Sequence, residues 1–349
     1  MRRLAALGAA LLLLLLPRAS ADSPWAKAGT HLSVLPLTHA QLDLVQALYP
    51  ALLAGESPID LPDRTRYDDV TAVIGCLLQD YPELFHVSNH YSISYYQDQP
   101  EIATAVKPIY QADAQEAQAM RQTLLEAAQA LLARTDDPLA LHDALLDGAV
   151  YDNGSPWCAT AYGALVLGRA NCEGYAQALT LLYRLAGIPC GVITGTAVSA
   201  DGRSEPHAWN IVHLSGPTLI DATWNDQDGM GRNTHWYYGL STRQMAADHT
   251  PDDGQVVPYC GEQDNWHAQQ GDVARTAEDV HRALTAFVRT GEPINLRIPD
   301  AGLYAALRAD LDGFLDEYNR TCPPEDCLWG SYTYAWSDAQ QCLLIARPD

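Results

Sequence analysis

The chain has 349 residues, a formal charge of −22 and 48% hydrophobic residues. That length and apolar content suffice for two or three packed units with their own cores. An acidic excess of this size argues against nucleic acid or anionic lipid as partners, because their phosphates would be repelled on approach.

The chain opens MRRLAALGAALLLLLLPRASA. Two arginines, an apolar run from Leu4 to Leu16 and the triplet Ala19-Ser20-Ala21 follow the order of a secretory signal peptide, with cleavage expected after Ala21. The run is too short to cross a bilayer and no later stretch reaches membrane-helix length. The expectation is an exported, extracytoplasmic chain with no membrane span. Residues 22–36 read as a linker, and 37–136 as a helical or mixed region. Thr38 to Leu53 and Asp68 to Tyr81 carry apolar residues at helical spacing, and residues 90–110 read as two strands around a polar turn. Residues 112–134, rich in Ala, Gln, Leu and Glu, form the clearest helix, and Asp137-Pro138 reads as the N-cap and first residue of the next.

Residues 137–260 hold the chemistry. A helix begins at Cys172 and stops at Gly187, followed by Ile188-Pro189. "CGVITGTAV" and "HAWNIVHL" read as strands joined by the turn "SADGRS", and "LIDATW" as a third strand after "SGPT". A helix followed by an antiparallel meander is an α+β core. Residues 270–349 read as helix, strand, helix, strand, strand, a C-terminal α/β region whose role the sequence leaves open.

Cysteines stand at Cys76, Cys158, Cys172, Cys190, Cys260, Cys322, Cys327 and Cys342. Their spacing is not that of a dense disulfide framework, although Cys322 and Cys327 could close a small loop. No C-x2-C pair exists and the histidines are dispersed along the sequence, so no metal site is expected. No acidic loop has a calcium pattern, and no cofactor is expected.

Cys172 opens a helix, where the positive end of the dipole stabilises a thiolate. His207 begins the second strand and Asp221 lies in the third. Paired strands would set these two side by side, the carboxylate fixing the imidazole and the other ring nitrogen facing the thiol. Trp209 shares His207's strand face by period-two alternation, and Trp224 follows Asp221. Both read equally as cleft residues or as packing.

"AYGALVLGRANCEGYAQALTLLYRLAGIPC", "HAWNIV" and "LIDATWND", in this order, resemble the transglutaminase-like superfamily of the wider papain-like group, in particular its exported bacterial members. The resemblance covers about residues 150–226 and assigns the family's catalytic cysteine, histidine and aspartate to Cys172, His207 and Asp221. It implies a papain-like fold, with the nucleophile helix packed on an antiparallel sheet. It also implies acyl transfer through a thioester, directed at amides of a protein or peptide substrate such as one of the cell envelope. Cross-linking, deamidation and peptide hydrolysis all remain open, as does a catalytically silent binding or scaffold module. Such families add a side-chain donor upstream of the nucleophile to the oxyanion hole, for which Tyr162 and Trp157 are the candidates here. The oligomeric state is not readable.

Overall fold

The computed structural model describes residues 24–226 and 233–348, so the signal-peptide reading of residues 1–21 lies outside the described residues. The chain mixes helix and strand as an α+β protein. It divides into two compact units. The first holds residues up to 194 with 208–213 and 251–259; the second holds 195–207, 214–250 and 260–349. The division passes inside the 137–260 segment that the sequence presents as one domain. The reason is that two strands, Cys190–Val198 and Ser204–His213, each run from one unit into the other.

In the first unit, Thr38 caps the helix His39–Ala54 with a capping box completed by Gln41, and Gly55 ends it in the left-handed region. This helix packs on Tyr67–Asp80, which in turn packs on a three-stranded sheet. In that sheet Gln99–Tyr110 lies between Ile59–Asp60 and Val87–Tyr96. Leu48, Leu52, Val70, Val73, Leu77 and Val106 form its core. Residues 24–36 do not behave as a linker. Trp25, Leu32 and Val34 are buried, and Leu32 N–H donates to the Cys190 carbonyl. Arg184, 2% exposed, holds this segment and its surroundings through the carbonyls of Leu32, Asp80 and Cys190. The linker reading fails because alternating apolar residues in a short polar stretch find a groove that only the fold creates.

The helices Ala114–Leu132, Pro138–Gly148 and Cys172–Ala186 complete the unit, and Asp137 caps the second by accepting from Ala140 N–H. Asn210, fully buried on the strand that also carries His207, donates to Ala176 O and Thr180 Oγ1, both at 2.9 Å. The strand is thereby pinned to the first turns of the Cys172 helix.

A five-stranded sheet runs in the order His249–Pro251, Cys190–Val198, Ser204–His213, Pro217–Ile220, Tyr238–Leu240. A second sheet, Ile294–Arg297, Cys342–Ala346 and Thr333–Ser337, is antiparallel throughout. Its core includes Val280, Leu284, Phe287, Leu315, Leu343 and Ile345. The single helix read between its strands is two, Ala301–Ala309 and Leu311–Thr321. Asp310 leaves helical geometry at φ −151° and caps the second by accepting from Gly313 N–H. The sulfurs of Cys322 and Cys327 stand 3.0 Å apart as free thiols, close together but with no bond closing the loop.

Because Asn210 is the polar tie between strand and helix, Asn210→Ala should cost about 1–3 kcal/mol. Urea unfolding of the purified chain reads this directly; an unchanged midpoint and slope would show that packing alone sets the strand against the helix.

Candidate active site

Cys172 is the first residue of its helix, after Asn171, whose side chain accepts from Gly174 N–H at 3.1 Å. The helix start is held close to the preceding loop by Asn171 N–H to Cys158 O at 2.9 Å. Gly174 is required there: a Cβ would lie 2.2 Å from the Cys158 carbonyl oxygen. Cys172 itself is partly buried against Ala176, Val192 and Ala208, and Ala208 is the residue after His207 in the chain. A thiol here sits among apolar neighbours at the end of the helix where backbone N–H groups lack intrahelical acceptors. Tyr162 stacks on Phe85 at 5.4 Å and Trp157 meets the same ring edge-on at 5.8 Å. Trp209 is 1% exposed and lies in the core.

The second unit brings His207 and Asp221 together. His207 Nε2 lies 2.8 Å from Asp221 Oδ2, with the His207 side chain 8% exposed and that of Asp221 fully buried. Asp221 is not within a strand, as "LIDATW" suggested. The strand ends at Ile220, and Asp221 caps the short helix Ala222–Asn225 by accepting from Trp224 N–H on Oδ1 at 3.1 Å. An aspartate competes well for such a capping bond, so the strand pattern stops at it. The turn places the Trp224 ring 5.3 Å from that of His207.

Sequence reasoning missed a second histidine. His249 opens the edge strand and puts its Nε2 3.1 Å from the same Asp221 Oδ2. Its Nδ1 lies 2.6 Å from Asp248 Oδ1, and Tyr237 O–H donates to Asp248 Oδ2 at 2.6 Å. Trp224 covers this group, with ring centroids 4.6 Å from His249 and 5.1 Å from Tyr237. "AADHTP" carries no motif, and His249 lies 28 residues beyond Asp221, so only strand order reveals the meeting.

His207, Asp221 and His249 also offer three ligand atoms close enough for a metal ion. Yet the two nitrogens stand at hydrogen-bond distance from the one oxygen. Ligands at about 2.0–2.2 Å around a tetrahedral zinc would be spread further apart. The arrangement is that of proton-sharing groups.

Burial pushes the Asp221 carboxyl up, but the charge and hydrogen bond of His207, with those of His249, overcome it and hold it well below the usual carboxylate range. Burial likewise works against charge on His249, and the two carboxylates reverse this and raise it. Burial and Asp248 push the Tyr237 hydroxyl far up, so it stays a donor. These shifts carry opposite signs in stability. The depressed Asp221 stabilises above its unfolded value near 4, and that contribution is lost as pH falls through the folded value. The raised His249 stabilises below its unfolded value near 6.5, and its contribution is lost as pH rises through the folded value.

A cavity of about 570 Å³ opens beside this network, lined by Trp224, Trp236, Tyr237, Asp248 and Trp336 among others. Arg308 lies over the Trp336 ring at 5.5 Å and pairs with Asp338 at 3.0 Å on the same wall.

His249→Gln should therefore destabilise the chain by about 1–3 kcal/mol near pH 6, and the gap to the unmodified chain should narrow as pH rises toward 9. Urea unfolding at a series of pH values tests the sign: a gap that widens with pH would contradict a raised His249.

The Transglutaminase-like superfamily matches residues 121–228, a stretch that contains Cys172, His207 and Asp221. Kyphoscoliosis peptidase of Homo sapiens is 38% identical over 65 residues, which is 16% of this chain and 10% of that protein, and its Mus musculus counterpart is 37% identical over the same length. The matched segment thus spans a tenth of these relatives. The periplasmic domain of TgpA from Pseudomonas aeruginosa is similar over 39% of this chain and 63% of its own, at 18% identity and a TM-score of 0.23. The likeness to the transglutaminase-like superfamily thus lies in residues 121–228 of the chain.

Proposed function

We propose that this protein is an exported cysteine-dependent enzyme that acts on amide bonds of proteins or peptides, with Cys172 as nucleophile, His207 as acid and base, and Asp221 as the group that orients the imidazole. The observation that carries the reading is the buried 2.8 Å contact of His207 with Asp221, within the family-matched stretch that also holds a cysteine at a helix start. A structural histidine has no need of a buried carboxylate, which is costly to bury even when paired.

The chemistry follows from these groups. The Cys172 thiolate bonds to the amide carbon and the carbonyl electrons move to oxygen, where the Cys172 backbone N–H can donate to the oxyanion. Tyr162 or Trp157 is the proposed second donor. With His207 Nε2 committed to Asp221, Nδ1 is the nitrogen that exchanges the proton. It protonates the departing nitrogen as the carbon–nitrogen bond breaks, leaving a thioester. Water or an amine then attacks the thioester, His207 takes its proton, and the thiolate leaves. The aromatic cavity next to Trp224 is the proposed seat for part of the substrate. Trp209 supports the strand from within the core.

The test is ammonia release from a glutamine-containing protein, with and without an added alkylamine, together with cleavage of the same protein. Cys172→Ala and His207→Ala should abolish turnover, and Asp221→Asn should reduce it about 10²–10⁴-fold. Amine incorporation would mark a cross-linker and cleavage a peptidase. A wild-type chain that turns over none of these, and whose Cys172 iodoacetamide modifies no faster than an ordinary thiol, would leave the silent scaffold as the reading.

A further inference from the structure

The second histidine has no place in the three-residue scheme, and its surroundings fix its charge by counting hydrogens. Asp221 accepts on Oδ1 from Trp224 N–H and faces two imidazoles with Oδ2. Asp248 accepts on Oδ2 from Tyr237 O–H and faces His249 Nδ1 with Oδ1. Each carboxylate has one assigned donor, the Trp224 backbone N–H on Asp221 and the Tyr237 hydroxyl on Asp248, and as ionised groups neither has a proton to give. Each ring nitrogen of His249 faces one of them, at 3.1 and 2.6 Å, and a lone pair on either nitrogen would point at a carboxylate oxygen. The contacts are met only if both nitrogens carry hydrogen.

We propose that His249 is held as an imidazolium between Asp221 and Asp248, and that it serves as a positioning residue which balances the charge that His207 feels. This deepens the enzymatic reading above and rests on it for the role of His207. Among the described residues, the titratable groups facing His249 are Asp221 just after the Pro217–Ile220 strand, Asp248 beside it, His207 on the Ser204–His213 strand with its ring 5.3 Å away, and Tyr237 with its ring 5.7 Å away. Arg308 and Asp338 lie further out, across the cavity that Asp248 lines. Counted over the described residues, two carboxylates and one fixed cation leave the buried group with one net negative charge. One further positive charge, on His207, neutralises it. Without His249 two negative charges would face His207, and the ring would hold its proton too firmly to hand it to a leaving amine at neutral pH. His249 also shares Asp221 Oδ2 with His207, which limits how the carboxylate can turn.

The experiment uses the full chain labelled with ¹⁵N-histidine, in the Cys172→Ala background so that thiol titration does not intrude. His249 resonances are assigned by their loss in His249→Gln. At pH 7 both His249 ring nitrogens should show the shift of hydrogen-bearing nitrogens and no titration between about pH 5 and 8. In His249→Gln the His207 titration midpoint should move up by about one pH unit or more. A His249 with one bare ring nitrogen at pH 7, or a His207 midpoint unmoved in the variant, overturns the proposal. Should His249→Gln fail to fold, the His249 spectrum is assigned by elimination with the other histidines substituted in turn, and it decides alone. A second arm separates the two readings. In chains with Cys172 intact, the alkaline limb of iodoacetamide modification should shift to higher pH in His249→Gln. Inert Cys172 with a doubly protonated His249 would remove the enzymatic reading and leave the charge assignment standing.

Discussion

Everything at this site depends on a carboxylate that is fully buried. Asp221 has no access to water, and an isolated ion there would cost several kcal/mol. The fold meets that cost with directional donors: a backbone N–H on one oxygen and two imidazoles on the other. Each donor comes from a different element, so the carboxylate also sets the relative placement of a strand, a helical turn and the edge strand. Tyr237 N–H is held by Asn225 Oδ1 at 2.7 Å, and Asp221 N–H donates to Tyr237 O at 3.0 Å. The backbone around the carboxylate is therefore as constrained as its side chain.

The element that carries the proposed nucleophile is set by different forces. The Cys172 helix is buried along most of its length from Gly174 to Arg184, so its position is set by packing. Its start is fixed by the Asn171 cap and by the close approach that Gly174 alone permits. Asn210 then fixes the strand of His207 against the same helix with two hydrogen bonds in the core. Hydrophobic burial supplies the larger part of the stabilisation and the amide supplies the register. A strand slipped by one residue would turn the face that carries His207 away.

How much of this was legible in the sequence follows from how local each signal is. The helix from Cys172 to Gly187 and the Asp137-Pro138 start were readable because caps and stops act within a few residues. The two strands around "SADGRS" were readable because alternation and turn chemistry are also local. His207 and Asp221 could be paired because consecutive strands tend to be neighbours. His249 was not legible, since its strand returns to the sheet on the far side of Cys190–Val198 after a long excursion. Residues 24–36 were misread for the same reason: Leu32 and Val34 are buried by partners remote in sequence. The break at Asp310 was local and readable in principle, but the helical pattern on both sides of it hid the cap.

A network of two carboxylates and two imidazoles with so little exposure is a poor way to stabilise a fold. Apolar residues of similar size would pack the same space without any desolvation cost, and removing one partner from a buried pair leaves an uncompensated charge. Stability alone would therefore favour an apolar replacement of His249 and Asp248 together. What the charged arrangement provides, and an apolar one cannot, is a fixed field at the His207 ring. Charges that do not move need no reorganisation when a proton transfers, so their effect on the proposed transfer would be present before any substrate arrives. The aromatic cover of Trp224 and Tyr237 strengthens the effect by keeping water, and its screening, away from the carboxylates. A site that only had to hold its shape would have no use for such a field.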